Sequence, residues 1–129
     1  MSTLPSVMVV DDEEELAHLF MELLEGSGFD CVSFTDPLQA LKHFSSNPYM
    51  YSVVLTDLRM PGLNGIDLAK KLKEYSPTVK IILITAFIDV NHLDNNDELK
   101  DATTITKVIH KPVKLKELRT HVSNLCSNR

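Results

Sequence analysis

The spacing of apolar positions switches repeatedly along this chain between short unbroken runs and a helical period, and that switching is its main structural signal. Val7, Met8, Val9 and Val10 form a continuous apolar run that ends in acid, which predicts a strand buried on both faces. The segment 13–25 carries apolar residues at Leu16, Leu19, Phe20, Leu23 and Leu24, the pattern of a helix with one buried stripe. Gly26 and Gly28 close it. Residues 30–34 alternate and predict a short strand. Thr35-Asp36-Pro37 has the form of a helix start, a capping side chain followed by an early proline. That helix runs through Leu41 and Phe44 and ends over 45–48.

A third strand is predicted over 52–56, with Val53, Val54 and Leu55, and a turn-rich loop with Pro61, Gly62, Asn64 and Gly65 follows. A helix over 66–75 has Leu68 and Leu72 in phase, and Ser76-Pro77 breaks it. Ile81 to Ile84 is a fourth buried strand. Within 91–102 a further helix is expected, with Asn95-Asn96-Asp97 interrupting its pattern. A fifth strand is predicted over 105–109. A last amphipathic helix over 113–125 carries Leu115, Leu118, Val122 and Leu125 on one side. Five apolar strands alternating with helices imply an α/β fold, a doubly wound five-stranded parallel sheet with helices on both faces. The binding crevice of such a sheet lies at the carboxyl ends of its strands.

Composition narrows the class. The 129 residues fit one domain over 1–129, with 43% hydrophobic and 24% charged residues, an ordinary balance for a soluble fold. A formal net charge of −5 argues against direct binding to nucleic acid. Residues 1–6 lack the basic region and apolar stretch of a signal peptide, and the longest apolar runs are too short to span a bilayer. A cytoplasmic protein with no membrane partner is expected. Cys31 and Cys126 fit no metal-ligand spacing and are expected to be reduced thiols. His18, His43, His92, His110 and His121 carry no functional assignment; His110 is expected to point away from Lys111 along its strand.

The strand ends carry the chemistry. The first ends in Asp11-Asp12, the third in Asp57, the fourth in Thr85 and the fifth in Lys111, followed by Pro112. Crowded carboxylates are best tolerated around a bound cation, and oxygen ligands suit Mg²⁺. One carboxylate can serve as a nucleophile towards phosphorus. Positive charge on the phosphoryl oxygens, from the metal and Lys111, would then assist transfer. Taken alone, Asp11 and Asp12 equally fit helix-start acids that favour the dipole, as Glu13, Glu14 and Glu15 do.

Asp11-Asp12, the stretch Leu55-Thr56-Asp57-Leu58-Arg59-Met60-Pro61-Gly62-Leu63-Asn64-Gly65, Thr85-Ala86 and Lys111-Pro112 together resemble the receiver domain of two-component response regulators. Each piece alone is common; all four in order, each at a strand end, are highly specific. The resemblance implies a flavodoxin-like receiver fold in which Asp57 is phosphorylated by a sensor histidine kinase or phosphotransfer protein. It implies Mg²⁺ held directly by Asp12, Asp57 and the backbone carbonyl of Arg59, with Asp11 acting through a metal-bound water. Thr85 would bond the phosphoryl group, Lys111 would pair with its oxygens, and a cis bond before Pro112 would hold the lysine loop. Gly65 would let the loop turn into its helix. Arg59 and Phe87, two residues after Asp57 and Thr85, would tune the lifetime of the phosphoryl group.

The pattern departs from the family at Val108, where most receivers carry Tyr or Phe, and a valine has one stiff torsion and little to rearrange. The 85–111 stretch is also longer than usual. Two other classes compete with a phosphorylation-controlled module. A phosphorylation-independent binding scaffold is disfavoured by the complete set of five residues. A phosphohydrolase acting on outside esters would want an acid two residues after its nucleophile, where Arg59 stands.

Overall fold

The computed structural model describes residues 4–86 and 104–127. Five parallel strands, β1 (Ser6–Val10), β2 (Asp30–Phe34), β3 (Val53–Asp57), β4 (Lys80–Ala86) and β5 (Lys107–Lys111), form one sheet in the order β2-β1-β3-β4-β5. Among the described residues, four helices connect or follow them: α1 (Glu14–Gly26), α2 (Pro37–Ser46), α3 (Gly65–Tyr75) and α4 (Leu115–Ser127). The alternation of side chains along each strand divides the core into two layers. Met8, Val10, Val54, Ile81 and Leu83 face Ala40 and Phe44 of α2 and Leu68, Ala69 and Leu72 of α3. Val7, Val9, Val53, Leu55, Ile82 and Ile84 face Ala17, Phe20 and Leu24 of α1 and Leu118 and Val122 of α4. Burial of each such Leu, Ile or Phe contributes about 1.5–3 kcal/mol, so both faces hold the central strands in place.

The helix starts are set by short polar side chains. Asp36 caps α2: its Oδ1 accepts from the Leu38 N–H at 2.9 Å, with Pro37 at the first helical position. Asn64 caps α3 through Oδ1, which accepts from the Asp67 N–H at 2.8 Å, while its Nδ2 donates to Asp67 Oδ2 at 3.1 Å.

Two elements start two residues later than their apolar patterns predict. Ile105 is buried, but Thr106 takes the place of a ladder residue: its hydroxyl accepts from the Ile81 N–H at 3.1 Å and its N–H donates to the Ile81 carbonyl at 2.9 Å. The β4–β5 ladder therefore begins with Lys107 opposite Ile82. The last helix begins at Leu115 rather than at 113. The helix expected within 91–102, with His92, lies outside the described residues. Cys31 and Cys126 are free thiols, and burial, with the Glu25 charge second, pushes the Cys31 thiol up to about 12.

Candidate functional site

The strand order reverses between β1 and β3, so the chain leaves the sheet in opposite directions there and opens a crevice at the carboxyl edge. Asp11 and Asp12 follow β1 directly, Asp57 ends β3, and Lys111 ends β5. A ligand oxygen from each of Asp11, Asp12 and Asp57 lies within 4.8 Å of the others. The Lys111 ammonium is 3.4 Å from Asp57 Oδ1. Four of the five side chains anticipated for the site are thus brought together.

The fifth, Thr85, is fully buried in β4, one residue past Ile84, which pairs with Asp57 in the ladder. Its hydroxyl donates to the Ala86 carbonyl at 3.4 Å, a long bond of little strength. Arg59 lies two residues beyond Asp57 with an exposed side chain. The Lys111–Pro112 peptide is cis. Phe87 lies outside the described residues.

Electrostatics sets the carboxylates apart. Asp11 is 2% exposed. Its Oδ1 accepts from the Glu13 N–H at 2.9 Å, so it does cap the entry to α1, where Glu13 itself makes no side-chain cap. Its Oδ2 is buried with no hydrogen-bond partner. Burial pushes the Asp11 carboxyl up to about 6; the Glu13 N–H opposes this, and the Asp57 charge adds to it. Asp57 is 7% exposed. Burial raises its carboxyl, against the Lys111 charge and hydrogen bond and the Leu58 N–H, which donates to Oδ1 at 2.9 Å; the Asp12 charge also raises it. A buried, unpartnered carboxylate oxygen beside two more carboxylates costs free energy that a cation would recover. The all-oxygen donor set fits a small hard cation.

The backbone around Asp57 is held from several directions. Its carbonyl accepts from the Thr56 hydroxyl at 3.0 Å. The Leu58 N–H also reaches the Ile84 carbonyl at 3.0 Å, and the Gly65 N–H donates to the Leu58 carbonyl at 2.8 Å. Gly65 is required here by space rather than by backbone angle. A Cβ at this position would overlap the Asp57 carbonyl oxygen and come within 2.8 Å of Leu83 Cδ1. The loop itself turns at Gly62, with φ +89, where the Leu38 side chain packs at 3.6 Å from the position a Cβ would take. The backbone donor Leu58 and the close approach at Gly65 belong to the site although no side-chain motif signals the first of them.

Three carboxylates and a lysine thus converge at the carboxyl edge of a doubly wound parallel sheet. The chain matches the response regulator receiver domain family over residues 7–123 and belongs to it. It is 29% identical over 119 residues to a response regulator receiver protein of Brucella abortus, covering 92% of this chain and 94% of that protein. It is 34% identical over 90 residues to a C4-dicarboxylate transport transcriptional regulatory protein of Rhizobium meliloti, of which it spans 19% of the length. In structure it is similar to a response regulator receiver domain protein from Clostridium thermocellum, with TM-score 0.86, 26% identity and coverage of 96% and 95% of the two chains. This chain is accordingly a receiver of two-component signal transduction. No helix among the described residues is long and apolar enough to cross a membrane.

Proposed function

We propose that Asp57 is the phosphoacceptor of a single receiver domain over 1–129, acting in the cytoplasm, and that it takes its phosphoryl group from a histidine kinase or phosphotransfer protein. The convergence of Asp11, Asp12 and Lys111 on Asp57 carries this reading. In the reaction an Asp57 carboxylate oxygen bonds to phosphorus as the bond from phosphorus to the donor imidazole nitrogen breaks. Hydrolysis later splits the new P–O bond with water.

Asp12, Asp57 and the Arg59 carbonyl would hold Mg²⁺, with Asp11 reaching it through water. When bound, the ion offsets the crowded negative charge and polarises the phosphoryl oxygens. Lys111, held 3.4 Å from Asp57, places its ammonium where charge develops on those oxygens. Thr85 exchanges its long bond to the Ala86 carbonyl for one to the phosphoryl group. The buried Leu58 N–H orients the Asp57 carboxylate before the donor arrives.

Incubation with Mg²⁺ and acetyl phosphate, followed by intact-mass measurement, tests the assignment. The expected product is a single phosphoryl adduct that requires Mg²⁺ and is absent in Asp57→Asn. Adduct formation in Asp57→Asn at the wild-type rate refutes it, and no adduct in the wild type under any Mg²⁺ concentration favours a phosphorylation-independent scaffold.

A further inference from the structure

Thr56 is a polar residue in an apolar layer. Val54 and Leu58, on either side of it along the chain, belong to the layer under α2 and α3 with Met8, Val10, Ile81 and Leu83. The alternation of side chains puts Thr56 on that same face. It is fully buried, and its ladder partners are Val10 and Leu83. Valine has the same β-branched shape and would fill this place with no hydroxyl to desolvate. Shape therefore accounts for a β-branched residue here but not for its oxygen.

That oxygen is committed to one peptide. Thr56 Oγ1 donates to the Asp57 carbonyl at 3.0 Å. The other end of the same peptide unit is the Leu58 N–H, which donates to Asp57 Oδ1 at 2.9 Å and to the Ile84 carbonyl at 3.0 Å. A peptide unit is planar and stiff, so holding its carbonyl also fixes the direction of its N–H. The tilt of this one plane sets where a donor meets Asp57 Oδ1, the oxygen that also faces the Lys111 ammonium at 3.4 Å. β3 ends at Asp57, so the plane lies where the chain passes from the ladder into the loop. Gly65 bounds it from the α3 side, since a Cβ there would overlap the Asp57 carbonyl oxygen. That contact limits how far the carbonyl moves towards α3 and exerts no attraction. The hydrogen bond from Thr56 is directional and holds the carbonyl in one orientation.

We infer that Thr56 is a positioning residue for phosphoryl transfer: its hydroxyl holds the peptide between Asp57 and Leu58 at the tilt from which the Leu58 N–H orients the Asp57 carboxylate. The inference rests on the assignment of Asp57 as the phosphoacceptor. Neighbouring strand residues face opposite sides of the sheet, so Thr56 acts through the backbone.

Two variants separate the hydroxyl from the packing. Phosphorylation by acetyl phosphate with Mg²⁺ is followed by intact mass, and the Leu58 amide proton by NMR in the metal-free protein. Thr56→Val keeps the shape and loses the donor. It is expected to be phosphorylated at least ~5-fold more slowly than the wild type, with the Leu58 resonance moved upfield as its hydrogen bond weakens. Thr56→Ser loses a methyl group and keeps the donor. Its rate is expected within ~2-fold of the wild type, with the Leu58 resonance retained, whatever stability it loses in urea. A residue that served packing alone would show the reverse, with the serine variant the more perturbed. Equal rates for the wild type and Thr56→Val overturn the inference. So does a Leu58 resonance that stays in place in Thr56→Val, or a serine variant slowed as much as the valine one. Absence of any adduct in the wild type is a separate failure, which removes the phosphoacceptor assignment and this inference with it.

Discussion

Replacing Asp11 by asparagine isolates what the carboxylate cluster costs when no cation is bound. In the folded chain the Asp11 carboxyl is pushed up to about 6 from 3.8, chiefly by burial. The folded state therefore holds the proton more tightly than the unfolded state. The contribution of Asp11 to stability is therefore fully present below about pH 4 and is lost as pH rises towards about 6, where folded Asp11 ionises. Above that window the ionised group costs about 3 kcal/mol, from ~1.4 kcal/mol for each pH unit of displacement. Asparagine keeps the acceptor for the Glu13 N–H and exchanges the unpartnered Oδ2 for an amide that can donate to Asp57. Urea unfolding of the metal-free proteins near pH ~7.5 is expected to show Asp11→Asn more stable by about 1–3 kcal/mol, with the gap closing near pH ~4. Mg²⁺ is expected to stabilise the wild type, by about 1.4 kcal/mol at ten times its dissociation constant, and to stabilise the variant much less. A metal-free variant no more stable than the wild type, or a gap independent of pH, would refute the reasoning.

Other substitutions probe single contacts. Lys111→Gln removes the cation beside Asp57 and is expected to slow phosphorylation by acetyl phosphate by ~10²-fold in a single-turnover assay, with the circular dichroism spectrum unchanged. Gly65→Ala places a methyl group against the Asp57 carbonyl and Leu83; a loss of about 1–3 kcal/mol in urea unfolding is expected, together with slower phosphorylation, and a neutral result would mean that α3 can retreat freely. Tyr51→Phe deletes the 2.7 Å bond to His43 and should cost about 1 kcal/mol, without effect on phosphorylation at Asp57.

The parts of the fold that were legible in the sequence are those where one physical signal dominates. β1, β3 and β4 are buried on both faces, so each is an unbroken apolar run that only a covered parallel strand accommodates. β2 lies at the sheet edge, half-buried throughout, and was visible only through its alternation and flanking turns. The start of β5 is not legible because Ile105 is apolar and buried without being in the ladder; a threonine hydroxyl in place of a backbone carbonyl leaves no mark in a hydrophobic pattern. Asp11, Asp12, Asp57 and Lys111 were found because each closes a strand. The Leu58 N–H leaves no mark in the sequence, because backbone donors have no residue type. Val108 is half-buried against the layer that includes α2 and α3, so a ring that swings between exposed and buried positions is not available at that place.

The fit of Gly65 against the Asp57 carbonyl ties two distances into one. The position of the nucleophile's own peptide and the depth at which α3 sits on the sheet cannot vary independently, because no atom separates them. Ile66, Leu68, Ala69 and Leu72 anchor that helix in the core. Loosening of α3 anywhere along its buried face would therefore be felt as misalignment of the attacking oxygen. The helix acts as a ruler for the chemistry, and mutations far from any charge, at Leu72 for example, should register as changes in phosphorylation rate before they register as unfolding.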